Sequence, residues 1–595
     1  MKQFFKFAFA SCLGSLVSLF VVSLVIIAMI GAMVSSSSKT EEVKDNSVLV
    51  IDFNKPVYDR ESNDFSNVIS AIQDGIDNDN SIGLSEFIAV IHKAKEDDNI
   101  KAIMLNMSVL QSNGMATAQE IRDCLLDFKK SGKKIYAYSD MCDQKSYYIA
   151  SVADKIQLNP AGMVTLSGLG GEVMYIKDLI DKLGVDVSLI RPKNNAYKSA
   201  GEMYISNKMS DANREQTHQY LSSIWNVMAS QIAESRHIDI NTFNNIVSSL
   251  NGFLPQDAVK NRIVDNLGFK TDFEDTITKY TINQYNMSNS TKLHFIKYSA
   301  YRQTMGEINT VKSNNIAIIY AYGDVSQGKG SDLSIGSETI VKSLRKAAEN
   351  DKIKAIVLRV NSPGGDAIAS ELITNEVIRA KRKKPVIVSM GDMAASAGYE
   401  MSSNASYIVA SETTLTGSIG VFGVLPNFNR ALKEKLGITF DTVKTHANSN
   451  PLSVTTPMTE DAKMMMQRNV ETFYLRFVSR VAKGRNKTPE YINSIARGRV
   501  WTGKDAKGLG LIDEYGGLQK AINIAAKKAN LKDYGIVVYP KTKGIMGQIL
   551  SSMDENTKIK SLTKELGKPY TFFLTLKNLS NMQGVQMRMP YIIEF

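Results

Sequence analysis

Two glycine-rich turns in the second half of the 595-residue chain carry the residue types best suited to chemistry. In the first, the apolar run IKAIVLRV (353–360) enters NSPGGDAIASELI (361–373). Its proline fixes one turn residue, and its two glycines expose backbone N–H groups just before a helical pattern. Such a turn can hold a carboxylate, a phosphate or a developing oxyanion, and it is equally a plain strand-to-helix connection. In the second, KPVIVSM (384–390) enters GDMAASAGYEMSS (391–403), where Ser396 stands among alanines and glycines. Small neighbours let a peptide backbone approach Ser396 Oγ, and a helix N-terminus favours negative charge there. A packing site between helix and sheet would use the same small residues. Successive strand ends in a parallel sheet lie side by side, so the two turns reinforce each other and point to nucleophilic catalysis.

A serine hydroxyl is a poor nucleophile without a base. No histidine follows Ser396 until His446, which disfavours a Ser-His pair. A lysine can serve if burial lowers its pKa toward neutrality. NSPGG and GDMAASAGYEMS, with TLTGSIGVFG (414–423) and GRVWTGKDAKGLGLID (498–513), closely resemble the signal peptide peptidase A (protease IV) family in its long, two-repeat bacterial form. The resemblance covers nearly all of the chain after an N-terminal apolar run. It implies the crotonase and Clp-protease superfamily, with folds of repeated β-β-α units, and a serine nucleophile working with a lysine base. The serine corresponds to Ser396. The family's base lies in a Tyr-Lys-Ser-Ala context in the first repeat, and NNAYKSAGEMY (194–204) puts it at Lys198. Ser418 resembles the family serine that orients the lysine. Backbone N–H groups of Gly364 or Gly365, with that of Ala397, are the expected oxyanion donors. Small residues around Ser396 suit a narrow apolar pocket for the residue before the cut.

The elements that must position these groups occur twice. IKAIMLNM (100–107) returns as IKAIVLRV (353–360), and KLGVDVSLIRPK (182–193) as KLGITFDTVKTH (435–446). QDAVKNRIVDNLG (256–268) returns as KDAKGLGLIDEYG (504–516). Within each copy short apolar strands alternate with amphipathic helices, which predicts α/β domains with parallel sheets. The expected fold is therefore a tandem of two crotonase/Clp-protease-like domains after an N-terminal transmembrane helix. The expected divisions are an anchor and tether (1–47), a first repeat with Lys198 (48–305), a second with Ser396 (306–545) and a C-terminal appendix (546–595). The copies have divided the labour. Gln144 stands at the first copy's equivalent of Ser396, MSVLQSNG (107–114) replaces its Pro-Gly-Gly turn, and 447–451 in the second copy lacks a lysine. One site per chain must form between repeats, within a chain or between neighbours.

The 28 residues from 7 to 34 carry no charge, enough to span a bilayer core and longer than a signal-peptide apolar region. Lys2 and Lys6 precede them, which favours a cytoplasmic N-terminus and places the rest outside the membrane. The expectation is a single-pass protein of the bacterial inner membrane, with its catalytic domains on the periplasmic side. The net charge of +11 comes without a basic block or nucleic-acid motif, so lipid headgroups rather than nucleic acid are the expected anionic contact. Cys12 lies in the apolar run, and Cys124 and Cys142 read as structural thiols. The five histidines are scattered, and no metal or nucleotide cofactor is implied. The resemblance implies a serine endopeptidase that degrades released signal peptides and other apolar peptides, assembled as a homotetramer. The competing readings are a crotonase-type acyl-CoA enzyme and a non-enzymatic membrane scaffold with a relict site.

Overall fold

A computed structural model describes residues 42–60, 81–110, 114–306, 310–331, 334–541 and 585–589, with isolated positions between 14 and 21. Apart from those positions, the expected anchor lies outside the described residues, as does most of the appendix. Among the described residues no helix is long and apolar enough to cross a membrane.

The strands that read as continuous apolar runs are buried on both faces, as parallel strands covered by helices must be. In Ile353–Ser362 only Lys354 is exposed. A fully parallel six-stranded sheet in the first half sets such strands between more exposed edges: Asn266–Leu267, Lys155–Thr165, Lys134–Asp143, Ile100–Met107, Ser47–Phe53 and His294–Lys297, in that spatial order. The second half repeats the arrangement. Val386–Ala395, Ile353–Ser362, Asn315–Tyr322 and Gly535–Tyr539 are parallel neighbours in that order. Val386–Ala395 splays at its far side, pairing with Tyr407–Ala410 through its first half and Leu415–Gly417 through its second.

The duplication reaches into helix punctuation. Asp211–Arg236 and Glu460–Arg485 are both 26 residues long. Ser210 and Thr459 cap their N-termini through side-chain oxygens, and His237 and Asn486 end them at φ of 53° and 51°.

Two of the features that join the halves lie outside the serine turn. The first is an ion cluster centred on Arg359, a fully buried side chain on Ile353–Ser362. Its guanidinium lies 2.7 Å from Asp59 Oδ1 and 2.7 Å from Glu120 Oε1, both on the first repeat. Glu120 Oε2 also accepts from Leu518 N at 2.8 Å. Burial opposes the guanidinium's charge, but the two carboxylates hold its pKa above the ordinary value. The second is a seven-stranded mixed sheet. It orders Gly330–Ser331, Ser334–Gly336, Asp324–Ser326, Gly364–Asp366, Val585–Arg588, Phe422–Asn427 and Asp186–Ile190. First-repeat, second-repeat and C-terminal strands thus share one sheet. Cys124 and Cys142 are buried, free thiols.

Candidate active site

The serine turn is built by the strand Val386–Ala395 passing directly into the helix Ala397–Ser402. Ser396 is the hinge, with φ 56° and ψ −113°, a conformation that a residue with a Cβ rarely adopts. Such a strained hinge costs of order 1–3 kcal/mol and persists only where its surroundings determine it. They do so here. Ser396 N donates to Gly417 O at 2.9 Å, and Glu400 N returns to Ser396 O at 2.9 Å. A Cβ on Gly398 would sit 2.9 Å from Ser362 O, so glycine lets the helix pack against the neighbouring turn. Ala395 and Ala397 flank the serine, both fully buried.

Lys198 arrives from the first repeat, on the irregular segment that follows Asp186–Ile190. Tyr197 N donates to Arg497 O at 3.0 Å and Asn195 Nδ2 to Val421 O at 3.0 Å, which fastens this segment to the second repeat. Gly498 makes the approach possible: at φ 81°, a Cβ there would lie 2.5 Å from both Lys198 Cβ and Lys198 N. Gly420 is needed for the same reason, since its Cβ would lie 2.7 Å from Gly498 Cα. The GRVW motif therefore owes its glycine to the lysine that passes over it.

Lys198 Nζ lies 2.7 Å from Ser396 Oγ in the same chain. It also donates to Ser418 Oγ at 3.0 Å and to Ser418 O at 3.2 Å. All three side chains are fully buried. Burial drives the Lys198 pKa well below its ordinary value, because a charged ammonium there would lose its water. Ser396 Oγ has a longer contact to Gly420 O, at 3.4 Å.

The lysine backbone is held by residues that motif reading passed over. Arg191 Nη1 donates to Lys198 O at 3.0 Å, and Gln216 Nε2 to Tyr197 O at 2.9 Å. Ser199 Oγ donates to Asn213 Oδ1 at 2.9 Å. Asn213 and Gln216 are three apart and buried on one face of Asp211–Arg236, but they lie in the polar run DANREQTHQ, where nothing local separates them from exposed neighbours.

Gly364 and Gly365 stand in the short strand Gly364–Asp366 at φ of 113° and 157°. Gly364 N donates to Ser362 Oγ at 3.2 Å, while Gly365 is paired with Met587 of the C-terminal strand. Ala397 opens the helix after Ser396. In the first repeat, Gln144 starts the helix Gln144–Ala150 after Lys134–Asp143, and its Nε2 donates to Gly168 O at 3.0 Å.

The model of peptidase family S49 matches the chain twice, over residues 127–281 and 378–532. The first match contains Lys198 and the second Ser396. The chain is 36% identical over 478 residues to Protease 4 of Salmonella typhi, covering 79% of this chain and 76% of that protein. It is 32% identical over 503 residues to Protease 4 of Haemophilus influenzae, covering 82% and 81%. It is 31% identical over 519 residues to the chloroplastic serine protease SPPA of Arabidopsis thaliana, covering 84% and 73%. A doubled family match, similarity to protease 4 over most of both chains and a serine set in a strained turn agree, and the chain belongs to peptidase family S49 as a two-repeat serine peptidase of the protease 4 type.

Proposed function

We propose that this peptidase works through a Ser396–Lys198 dyad shared between its two repeats. The observation that carries the reading is the 2.7 Å separation of Lys198 Nζ and Ser396 Oγ, with the amine buried and its pKa lowered. Neutral Lys198 takes the Ser396 proton as Oγ attacks the peptide carbonyl carbon. The oxyanion is stabilised by the N–H of Ala397 and of Gly365 or Gly364, on the turn beside it. The Lys198 ammonium then protonates the leaving amine as the C–N bond breaks, giving an acyl-Ser396 ester. Lys198 next takes a proton from water, whose oxygen attacks the ester carbonyl, and returns that proton to Ser396 Oγ as the ester C–O bond breaks, which frees the acid product and restores neutral Lys198. Ser418 directs the amine throughout, through the contacts at 3.0 and 3.2 Å.

The substrates are apolar peptides, released signal peptides among them, met at the outer face of the bacterial inner membrane. The uncharged segment 7–34 supports the anchoring, and the small residues around Ser396 support the preference for small and apolar side chains. Assembly is as a homotetramer, with each chain contributing a whole dyad. Membership of a peptidase family removes the motive for an acyl-CoA reaction.

The test is labelling of the purified full-length protein with a fluorophosphonate, together with hydrolysis of an apolar peptide. Label and turnover should both vanish in Ser396→Ala while the fold is retained. Retained hydrolysis in a contaminant-free Ser396→Ala preparation would overturn the proposal.

A further inference from the structure

Ser396, Lys198 and Ser418 must meet a peptide, yet all three are fully buried. Beside them lies a strand from the far end of the chain. Val585–Arg588 runs antiparallel between Gly364–Asp366 on one side and Phe422–Asn427 on the other. We propose that the gap between these two edges binds substrate as an added strand, and that the chain's own residues 585–589 fill it as an intramolecular pseudosubstrate. The inference rests on the Ser396–Lys198 reading above.

Among the described residues, without the tail Gly364–Asp366 would pair only with Asp324–Ser326, and Phe422–Asn427 only with Asp186–Ile190. Two open edges one strand apart are a template for an extended peptide: main-chain hydrogen bonds give affinity, and alternate side chains give selectivity. The tail has that pattern. Val585 and Met587 enter the apolar cluster that holds Ala397, Ile419 and Val421. Met589 enters the cluster that holds Ala395 and Leu415. The intervening Arg588 pairs instead with Asp324 Oδ2 at 3.0 Å. Apolar tail residues thus join the clusters containing both neighbours of Ser396.

The register also matches a substrate. Met589 N donates to Pro363 O at 2.8 Å. The alternation of an antiparallel ladder makes Gly365 and Met587 the next hydrogen-bonded pair. The Met587 carbonyl then faces the Gly365 N–H, one of the oxyanion donors. A Cβ on Gly364 would collide with that same carbonyl oxygen, so glycine is what admits it. Met587 stands where the residue before a cleaved bond would stand.

A tethered occupant raises the apparent KM without lowering kcat, because saturating substrate displaces it. The probe is a labelled synthetic peptide copying residues 584–590, with binding read by anisotropy in Ser396→Ala proteins so that no chemistry intervenes. Three full assemblies are compared: the intact tail, Met587→Asp with Met589→Asp, and a chain ending at residue 584. Both altered tails should bind the peptide at least tenfold more tightly than the intact one. With Ser396 restored, apparent KM for a peptide should fall about tenfold at constant kcat. The substituted full-length chain guards against a folding failure of the shortened one. Equal peptide affinity in all three overturns the proposal. A block relieved by diluting the protein assigns the strand to a neighbouring copy and overturns the intramolecular assignment. If no variant hydrolyses peptide but the affinity difference persists, the tail inference stands and the catalytic reading falls.

Discussion

Replacing Gly498 by alanine should disable the enzyme while leaving it folded, and the size of the effect can be worked from its contacts. Gly498 has φ 81°, which costs an alanine about 1–2 kcal/mol. The added Cβ would also lie 2.5 Å from Lys198 Cβ and N. Ordinary contact needs the lysine to recede by about 1 Å, and a 1 Å misplacement can cost on the order of 10²-fold in rate. From 2.7 Å, such a retreat takes Nζ beyond good hydrogen-bonding reach of Ser396 Oγ. Gly132 supplies the control. Its φ is 84°, and nothing lies within 4 Å of its Cβ position. Gly132→Ala therefore carries the same backbone penalty without the displacement. Thermal melts should show Gly132→Ala slightly destabilised and Gly498→Ala destabilised more, because its Cβ also meets Lys198 N at 2.5 Å, while steady-state peptide hydrolysis should show kcat falling about 100-fold only in Gly498→Ala. Full activity in a folded Gly498→Ala protein would refute the claim that this glycine makes room for the base.

Lys198→Arg should be almost inactive, because a guanidinium does not give up its proton near neutrality. In the wild type, kcat/KM should rise with pH through the lowered Lys198 pKa, at a pH below the ordinary lysine value of about 10.4. A limb at the ordinary lysine value would show that Lys198 is not desolvated in the working enzyme. Arg359→Met should lose roughly 3–5 kcal/mol in urea unfolding, since it leaves Asp59 and Glu120 buried and unpaired. Adding Asp59→Asn and Glu120→Gln should restore much of it, and a neutral single variant would mean the cluster is not structural. Glu400, hydrogen-bonded to Ser370 Oγ at 2.6 Å, has its pKa raised to about 7 by burial. Its folded-state pKa exceeds its unfolded value of 4.5, so its contribution is full below 4.5 and lost as pH rises through 7. The loss amounts to about 3 kcal/mol across that window. Glu400→Gln should flatten the stability profile there, and an unchanged profile would place the Glu400 pKa near its ordinary value.

The serine turn was legible because chemistry restricts it to a few residue types in tight spacing, whereas Lys198 was legible only through the family resemblance. Ser396 needs small neighbours in a hinge, while an isolated lysine in YKSA carries no chemical signal of its own and stands out only against the family's Tyr-Lys-Ser-Ala context. The architecture was legible through repetition, since the same strand–helix pattern written twice implies two similar sheets. The supports were harder to see. Arg359 lies in a run otherwise suited to a buried strand, so its charge was a sign of a buried partner. Its partners Asp59 and Glu120 are hundreds of residues away, and no local pattern names them. Gly498 and Gly420 look like turn glycines; their importance comes from a backbone of the other repeat pressing on them. Residues 585–589 alternate apolar and polar over too few positions to announce a strand. Their pairing depends on two edges formed elsewhere.

The 198-residue separation between Lys198 and Ser396 also sets a clock. A ribosome adding roughly 5–20 residues per second needs about 10–40 s to pass from the lysine to the serine. On the Ser396–Lys198 reading, the growing chain holds the proposed base without its nucleophile during that interval, and the sheet that carries Ser396 is still being made. The last strand of that sheet, Gly535–Tyr539, comes later still. On the same reading, a newborn chain cannot assemble the proposed Ser396–Lys198 pair until its second repeat has been made, so the order of synthesis itself delays the appearance of activity.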